Sequence, residues 1–253
     1  MSELIIVKLG GNAATQLSPA FFAQLHAWHD AGKHVLLIHG GGPQINAWSK
    51  KFGLTPVKKA GIRVTDAQTL QVTQAVLLGV VQPQLCMALC QHELPALGLN
   101  TADEHLLVGE YLDQAIYGQV GAVTGVNAQA LDHFLSEHIG VLAPLAQTDT
   151  GDLLNVNADM AAAAVATALH ASKLVLLTDV PGVLDQGAVV PKLTPQKAAQ
   201  LIATNVITKG MQPKIEAAAH TALVVHEVVI TDALDHAGTI VEAAPVTDTA
   251  KAV

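Results

Sequence analysis

Three stretches of the 253-residue chain set a lysine or a run of glycines where an anion could be held. In Lys8-Leu9-Gly10-Gly11 a lysine ends an apolar run directly before two glycines. An unpaired ammonium is costly to bury there, so Lys8 should meet an anion at the carboxyl end of a strand, where glycines let backbone N–H groups approach a phosphate. The alternative is a lysine whose tip snorkels to solvent beside an ordinary turn. His39-Gly40-Gly41-Gly42-Pro43 repeats the order of strand, glycine loop and helix start, and a helix amino terminus is a ready anion site. In Gly210-Met211-Gln212-Pro213-Lys214 a second lysine falls in the first turn of a helix. The dipole disfavours a cation there, so either an anion is near or the lysine is simply solvated. Neither glycine loop has the spacing of a P-loop or of a dinucleotide fingerprint.

Other positions extend the list. Arg63, in Gly61-Ile62-Arg63-Val64-Thr65, is the only arginine among 13 basic side chains, so planar two-point binding of a carboxylate can occur in one place only. The competing role is a surface ion pair worth about 0 to 1 kcal/mol. Asn155-Val156-Asn157-Ala158-Asp159 precedes an Ala-rich helix, where Asn157 can cap and Asp159 suits the first turn. Thr178-Asp179-Val180-Pro181-Gly182-Val183-Leu184 is a strand end and a turn against which a nucleotide could lie. His39 reads as a strand-end residue bonded to its loop, and the 12 histidines include no H-E-x-x-H pair, so no metal cage is expected. Cys86 and Cys90 read as packing residues.

The elements that must position these residues follow from patterning. Apolar runs of four to six residues alternate with segments of helical period, the pattern of a mostly parallel sheet with helices on both faces. Strands are expected at Leu4 to Lys8, His34 to His39, Ile139 to Leu145, Leu174 to Thr178 and Val224 to Thr231, with irregular strands over Leu106 to Gly121 and a hairpin over Pro56 to Val64. Helices are expected from Pro19 to Gly32, Pro43 to Gly53, Asp66 to Glu93 with a break at Gly79 or Pro83, Ala128 to His138, Asp159 to His170, Pro195 to Thr204 and Gln212 to Leu223. A net charge of −8 and no basic stripe argue against nucleic-acid binding. The longest near-apolar stretch, Met160 to Leu169, is half of the ~20 residues a membrane helix needs, and no leader opens the chain, so a cytoplasmic protein is expected.

In this order and spacing, the Lys8 glycine pair, the triple glycine at 40 to 42, the Gly-x-Arg-Val-Thr hairpin, Asn155 to Asp159, Asp179 to Leu184 and Lys214 resemble the amino acid kinase family over nearly the whole chain. The resemblance implies an α/β fold, an open three-layer αβα sandwich with a mostly parallel central sheet, forming one domain over 1–253. An amino-acid lobe would span about 1–170 and an ATP lobe 171–253. The hairpin points to the branch that phosphorylates the side-chain carboxylate of N-acetyl-L-glutamate in arginine biosynthesis, with ATP and Mg2+. By that resemblance Lys8 and Lys214 stabilise the transferring phosphoryl group and Asp159 orients both. Arg63 and Asn155 hold the substrate, and Gly10, Gly11, Gly41 and Gly42 donate N–H groups to phosphoryl group and substrate. Asp179, Val180, Pro181, Gly182, Val183, Leu184, Val206, Ile207 and Thr208 contact the nucleotide, while Lys209 stands where some relatives carry an acidic residue. The first strand begins a few residues from Met1, so an arginine-insensitive homodimer without an added amino-terminal helix is expected, with Asp66 to Glu93 as its surface. A sister kinase for another acidic substrate, or a non-catalytic sensor of the same fold, is the alternative.

Overall fold

The computed structural model describes residues 3–10, 17–207 and 211–243. The strand Leu4–Leu9 reads LIIVKL and is buried along almost its whole length, as befits a strand covered by helices on both faces. It lies inside an eight-stranded sheet. From edge to edge the order is Lys192–Leu193, Thr239–Val241, Glu227–Thr231, Lys173–Leu177, Leu4–Leu9, His34–His39, Ile139–Leu142 and Ala96–Leu99. Neighbours are parallel except for the pair Glu227–Thr231 and Thr239–Val241. The chain steps from Leu4–Leu9 to His34–His39 on one side, and Lys173–Leu177 later adds on the other. The order of strands therefore reverses between the first strand and Lys173–Leu177. Loops leaving the carboxyl ends of two such strands diverge and open a crevice, which is where ligands bind in sheets of this kind.

The period of two along a strand divides the core between the faces. Ile5, Val7 and Leu9 join Phe21, Phe22 and Leu25 of the helix Pro19–Asp30 and Val76, Leu77, Val81 and Leu85 of a long helix. Ile6 joins the opposite layer, with Ala161, Ala162, Val165 and Ala166 of the helix Ala158–Ala168. The small side chains of that helix let it settle close to the sheet. Lys8 shares the alternation of Ile6, so it is directed to the Ala-rich helix and its first turn.

Several elements differ from the sequence expectation. The Asp66 to Glu93 helix is not interrupted: Ala67–Val76 and Gln82–Gln91 are joined through a π-helical stretch, Leu77–Val81, that contains Gly79. The wider turn accommodates Pro83, which has no N–H to donate and whose ring would clash with the carbonyl four residues back in a regular helix. The resulting 25-residue helix, which contains an 18-residue window of mean hydropathy 1.5, is by length and composition apolar enough to cross a bilayer. Its apolar face, however, packs on the sheet while Gln68, Gln71, Gln74 and Gln84 face outward. The Ile139 to Leu145 strand is two strands, Ile139–Leu142 in the main sheet and Leu145–Gln147 in a small closed barrel, divided at Pro144, which lacks a ladder donor. Leu107–Tyr111, Val120–Val126 and Leu153–Val156 complete that barrel. A short helix, Gln114–Tyr117, interrupts the stretch expected to be only irregular strand. The strand expected from Val224 begins at Glu227 and is followed by Thr239–Val241. Cys86 packs against the core, but Cys90 is exposed, so packing accounts for only one of the two.

Candidate active site

At the reversal point three charged side chains meet on one atom. Lys8 Nζ lies 2.8 Å from Asp159 Oδ1, and Lys214 Nζ lies 2.7 Å from the same oxygen. The two lysines come from opposite ends of the chain, one from the end of the first strand and the other from the first turn of the helix Gln212–Thr221. Asp159 is placed by local chemistry: Asn157 caps the Ala-rich helix, accepting from the N–H groups of Asp159 and Met160 at 2.9 and 3.2 Å. The lysine side chains retain only 7% and 11% of their exposure, which excludes both the snorkelling and the solvated alternatives. Burial alone would raise the Asp159 carboxyl, but the charges and hydrogen bonds of Lys8 and Lys214 outweigh it and hold the group below its ordinary value. Burial dominates at Lys214, whose ammonium is lowered despite the attraction of Asp159, with Lys8 adding repulsion. The trio carries two positive charges and one negative, a net single positive charge facing the crevice.

Beside it stands the first strand's neighbour. Leu9 pairs in register with His39, and Gly40 N–H donates to Leu9 O at 3.0 Å, which sets the two glycine loops side by side. His39 is fully buried; its Nδ1 lies 3.2 Å from Gly40 O, as expected of a strand-end residue, and burial pushes its pKa down to about 4. Gly41 packs closely against the long helix: a Cβ there would fall 2.9 Å from Leu77 Cδ2, so Leu77 would have to shift to admit one. Gly42 opens the helix Gly42–Lys51, whose amino terminus has no side-chain cap, the kind of helix start at which N–H groups can receive an anion.

The hairpin Lys58–Lys59 and Ile62–Arg63 turns through Ala60 and Gly61, both at positive φ, the geometry of a tight two-residue turn. It delivers Arg63 to that helix. The arginine is 8% exposed, which excludes the surface ion pair. Its Nη2 donates to Asn46 Oδ1 at 2.7 Å and to Gly42 O at 3.4 Å, while Nη1 is buried without a partner. Burial alone lowers its pKa, with no acidic neighbour acting on it. Among the described residues no carboxylate balances this guanidinium. Asn155 joins the same network: its Nδ2 donates to Thr65 Oγ1 at 3.0 Å, and Thr65 Oγ1 donates to Arg63 O at 3.1 Å. Gln119 donates its N–H to Thr65 O and accepts from Asn155 N–H, and its Oε1, like Gln44 Oε1, is buried without a partner. Sequence reasoning missed Asn46, Gln44 and Gln119, and had Thr65 only as the end of the hairpin motif. Only Asn46 carried a signal, being one helical turn beyond Gly42 on the same face.

On the other side, a Cβ at Gly10 would meet Leu177 O at 3.2 Å, so the chain leaving the first strand runs close against the end of Lys173–Leu177. Asp179, Val180 and Pro181 follow in the open turn. Gly182 is at φ +153°, against Thr239, which accepts from Val183 N–H at 2.8 Å and donates to Val190 O at 2.7 Å. The side chains of Val183 and Ile207 lie in the core, and the N–H groups of Val206 and Ile207 both donate to Leu201 O. Leu184 pairs with Val189 in a hairpin. Val183 and Leu184 are thus held through their backbone, Val183 by hydrogen bonds with Thr239 Oγ1 and Val190 and Leu184 by pairing with Val189. Gly11, Thr208 and Lys209 lie outside the described residues.

Residues 3–232 match the model of the amino acid kinase family. An acetylglutamate kinase of Lactiplantibacillus plantarum is 52% identical over 242 residues, covering 95% of this chain and 98% of that protein. One of Leuconostoc citreum is 44% identical over 243 residues, covering 95% and 99%. The crystal structure of smu.665 from Streptococcus mutans UA159 superposes with a TM-score of 0.91 at 41% identity, covering 96% of this chain and 100% of that one. With sheet order, glycine loops and the two-lysine centre in place, these likenesses leave one assignment: the chain belongs to the amino acid kinase family.

Proposed function

We propose that this protein transfers the γ-phosphoryl group of ATP to the side-chain carboxylate of N-acetyl-L-glutamate, giving N-acetyl-L-glutamyl 5-phosphate and ADP in arginine biosynthesis. The observation that carries the reading is the pair of ammonium groups held on one oxygen of Asp159 at the strand-order reversal. A carboxylate nucleophile has a pKa near 4.3 and is ionised at neutral pH, so no general base is required. The difficulty is charge, since an anion approaches ATP while negative charge spreads over the transferring oxygens. Positioning and electrostatic stabilisation then do the chemistry.

Lys8 and Lys214 face the migrating group from two elements, and Asp159, occupied by both, acts as organiser rather than proton acceptor. Gly10 and Gly11 attend the phosphates, and Gly41 and Gly42 offer N–H groups to substrate. Arg63 and Asn155 hold the α-carboxylate and its polar neighbours. The turn Asp179 to Leu184, with Val206 to Thr208, borders the nucleotide. ATP would arrive as its Mg2+ complex, since Mg2+ keeps several waters and is generally bound through substrate phosphates rather than by a dedicated protein cage. The lobes divide near residue 170, and the protein works in the cytoplasm as a homodimer built on the Asp66 to Glu93 helix. Light scattering tests the dimer: a monomeric mass in solution rejects it. Coupled ADP release with N-acetyl-L-glutamate, free L-glutamate and L-aspartate tests the activity. Turnover should be confined largely to the acetylated acid; equal turnover of the free amino acids would reject the assignment.

A further inference from the structure

The only arginine of the chain sits in an unusual electrostatic setting. It is 8% exposed, no carboxylate pairs with it among the described residues, and one of its two terminal nitrogens is satisfied while the other is not. The satisfied nitrogen, Nη2, donates to Asn46 Oδ1 at 2.7 Å, a short contact from a side chain one turn inside the helix Gly42–Lys51, with the weaker 3.4 Å contact to Gly42 O beside it. A buried guanidinium is normally matched by an acid, which satisfies its donors and its charge together. Asn46 does the first without the second.

We infer that Asn46 is a positioning residue for the substrate: its neutral amide oxygen fixes one arm of the Arg63 fork and leaves the other arm, and the whole of the charge, for a carboxylate of the amino-acid ligand. The orphaned Nη1 is the direct trace of that reservation. The fork is rigid and planar, so holding Nη2 sets the direction in which Nη1 points. An aspartate at the same position would hold the fork equally well, but its charge would compensate the guanidinium and weaken its attraction for an incoming anion. Selectivity for an acidic ligand thus depends on the residue at 46 being an acceptor without charge. This inference rests on the proposed role of Arg63 in holding the substrate.

The test compares Asn46→Ala, Asn46→Asp, Arg63→Lys and the double variant Arg63→Lys/Asn46→Ala in the whole protein, with steady-state kinetics for both substrates and thermal unfolding. Asn46 is half-buried in a helix, where alanine is a better helix former than asparagine, so Asn46→Ala is expected to fold. It should raise KM for N-acetyl-L-glutamate about tenfold, with kcat within about threefold and KM for ATP unchanged. Asn46→Asp should keep or raise Tm while also raising that KM, a split that a purely structural role does not produce. In the Arg63→Lys background, removing Asn46 should add little, since it acts through the fork. A restored wild-type KM in Asn46→Asp, an unchanged KM in Asn46→Ala, or full additivity in the double variant would each overturn the inference while leaving Arg63 in place. An unchanged KM in Arg63→Lys would overturn the reading beneath it as well. Should Asn46→Ala lose its fold, Asn46→Asp decides alone.

Discussion

The trio around Asp159 and the pocket around Arg63 solve the same problem in opposite ways. In the first, a carboxylate holds two ammonium groups, and most of the charge is balanced inside the protein. In the second, a single guanidinium is buried with neutral acceptors only, and one of its nitrogens has no partner. Each leaves about one positive charge for a ligand. The trio, however, is assembled without a ligand, whereas under the proposed function the arginine is completed by the substrate. The contrast matches the demands on each region. A transferring phosphoryl group gains charge at the transition state, so its cations must be preorganised; a ligand carboxylate is charged throughout, so a waiting donor suffices. Rate should therefore depend on the first region and amino-acid affinity on the second.

The largest effect should come from breaking the trio. Lys8→Ala is expected to lower kcat about 100- to 1,000-fold with KM for ATP changed only a few-fold, in single-turnover and steady-state assays. Asp159→Asn should fall as far, because it releases both lysines at once. A kcat near wild type in either would dissolve the distinction between the regions. Acid should sharpen it. Asp159, held below the ordinary carboxyl range, stays ionised as pH falls, and the stability it contributes is present above its unfolded value and lost only as pH drops through its lower folded value. His39, beneath the glycine loop on the Arg63 side, has a folded pKa of about 4 against 6.5 for a free imidazole. The unfolded chain binds that proton first, so stability is complete above pH 6.5 and falls as pH drops toward 4, by about 3 kcal/mol. Urea unfolding at pH 7 and pH 4.5 should show this loss, and His39→Gln should flatten it; an equal slope in the variant would acquit His39.

Arg63→Lys keeps the charge but loses the fork, and should raise KM for the acetylated amino acid about tenfold with little change in kcat. A fall in kcat with unaltered KM would move Arg63 to the reacting centre and erase the comparison. The smallest effect is expected at Gly182→Ala. A Cβ there would come within 2.6 Å of Thr239 Oγ1 and 2.8 Å of Val189 Cγ1 at a φ suited to glycine. The shift of this turn should raise KM for ATP a few-fold and leave that for the amino acid alone, as read from paired titrations. Movement of both constants together would mean that the turn does not serve the nucleotide selectively.

Much of the frame was legible because it rests on local rules. The strand Leu4–Leu9, the Asn157 cap, the uncapped helix start after the triple glycine and the tight hairpin bearing Arg63 all follow from apolar runs, glycine placement and capping chemistry within a few residues. The small barrel was not legible. Its strands are short and separated in sequence, and closure depends on pairings such as Asn155 with Val120 that no local pattern announces. The π turn at Leu77–Val81 was equally hidden, since Gly79 and Pro83 read as a break until packing on the sheet holds the helix continuous.

By itself the sequence determined which groups were available: two lysines beside glycines, one carboxylate at a helix start and one arginine in the whole chain. Composition also required that a planar fork exist in only one place. Tertiary structure alone decided that Lys8 and Lys214, 206 positions apart, share one oxygen, and that Arg63 is met by an amide rather than an acid. The reason is that side-chain type and local propensity are encoded residue by residue. Which charges balance and which remain open depends on burial and on distances of about 3 Å between distant segments, and these exist only once the sheet has closed around them.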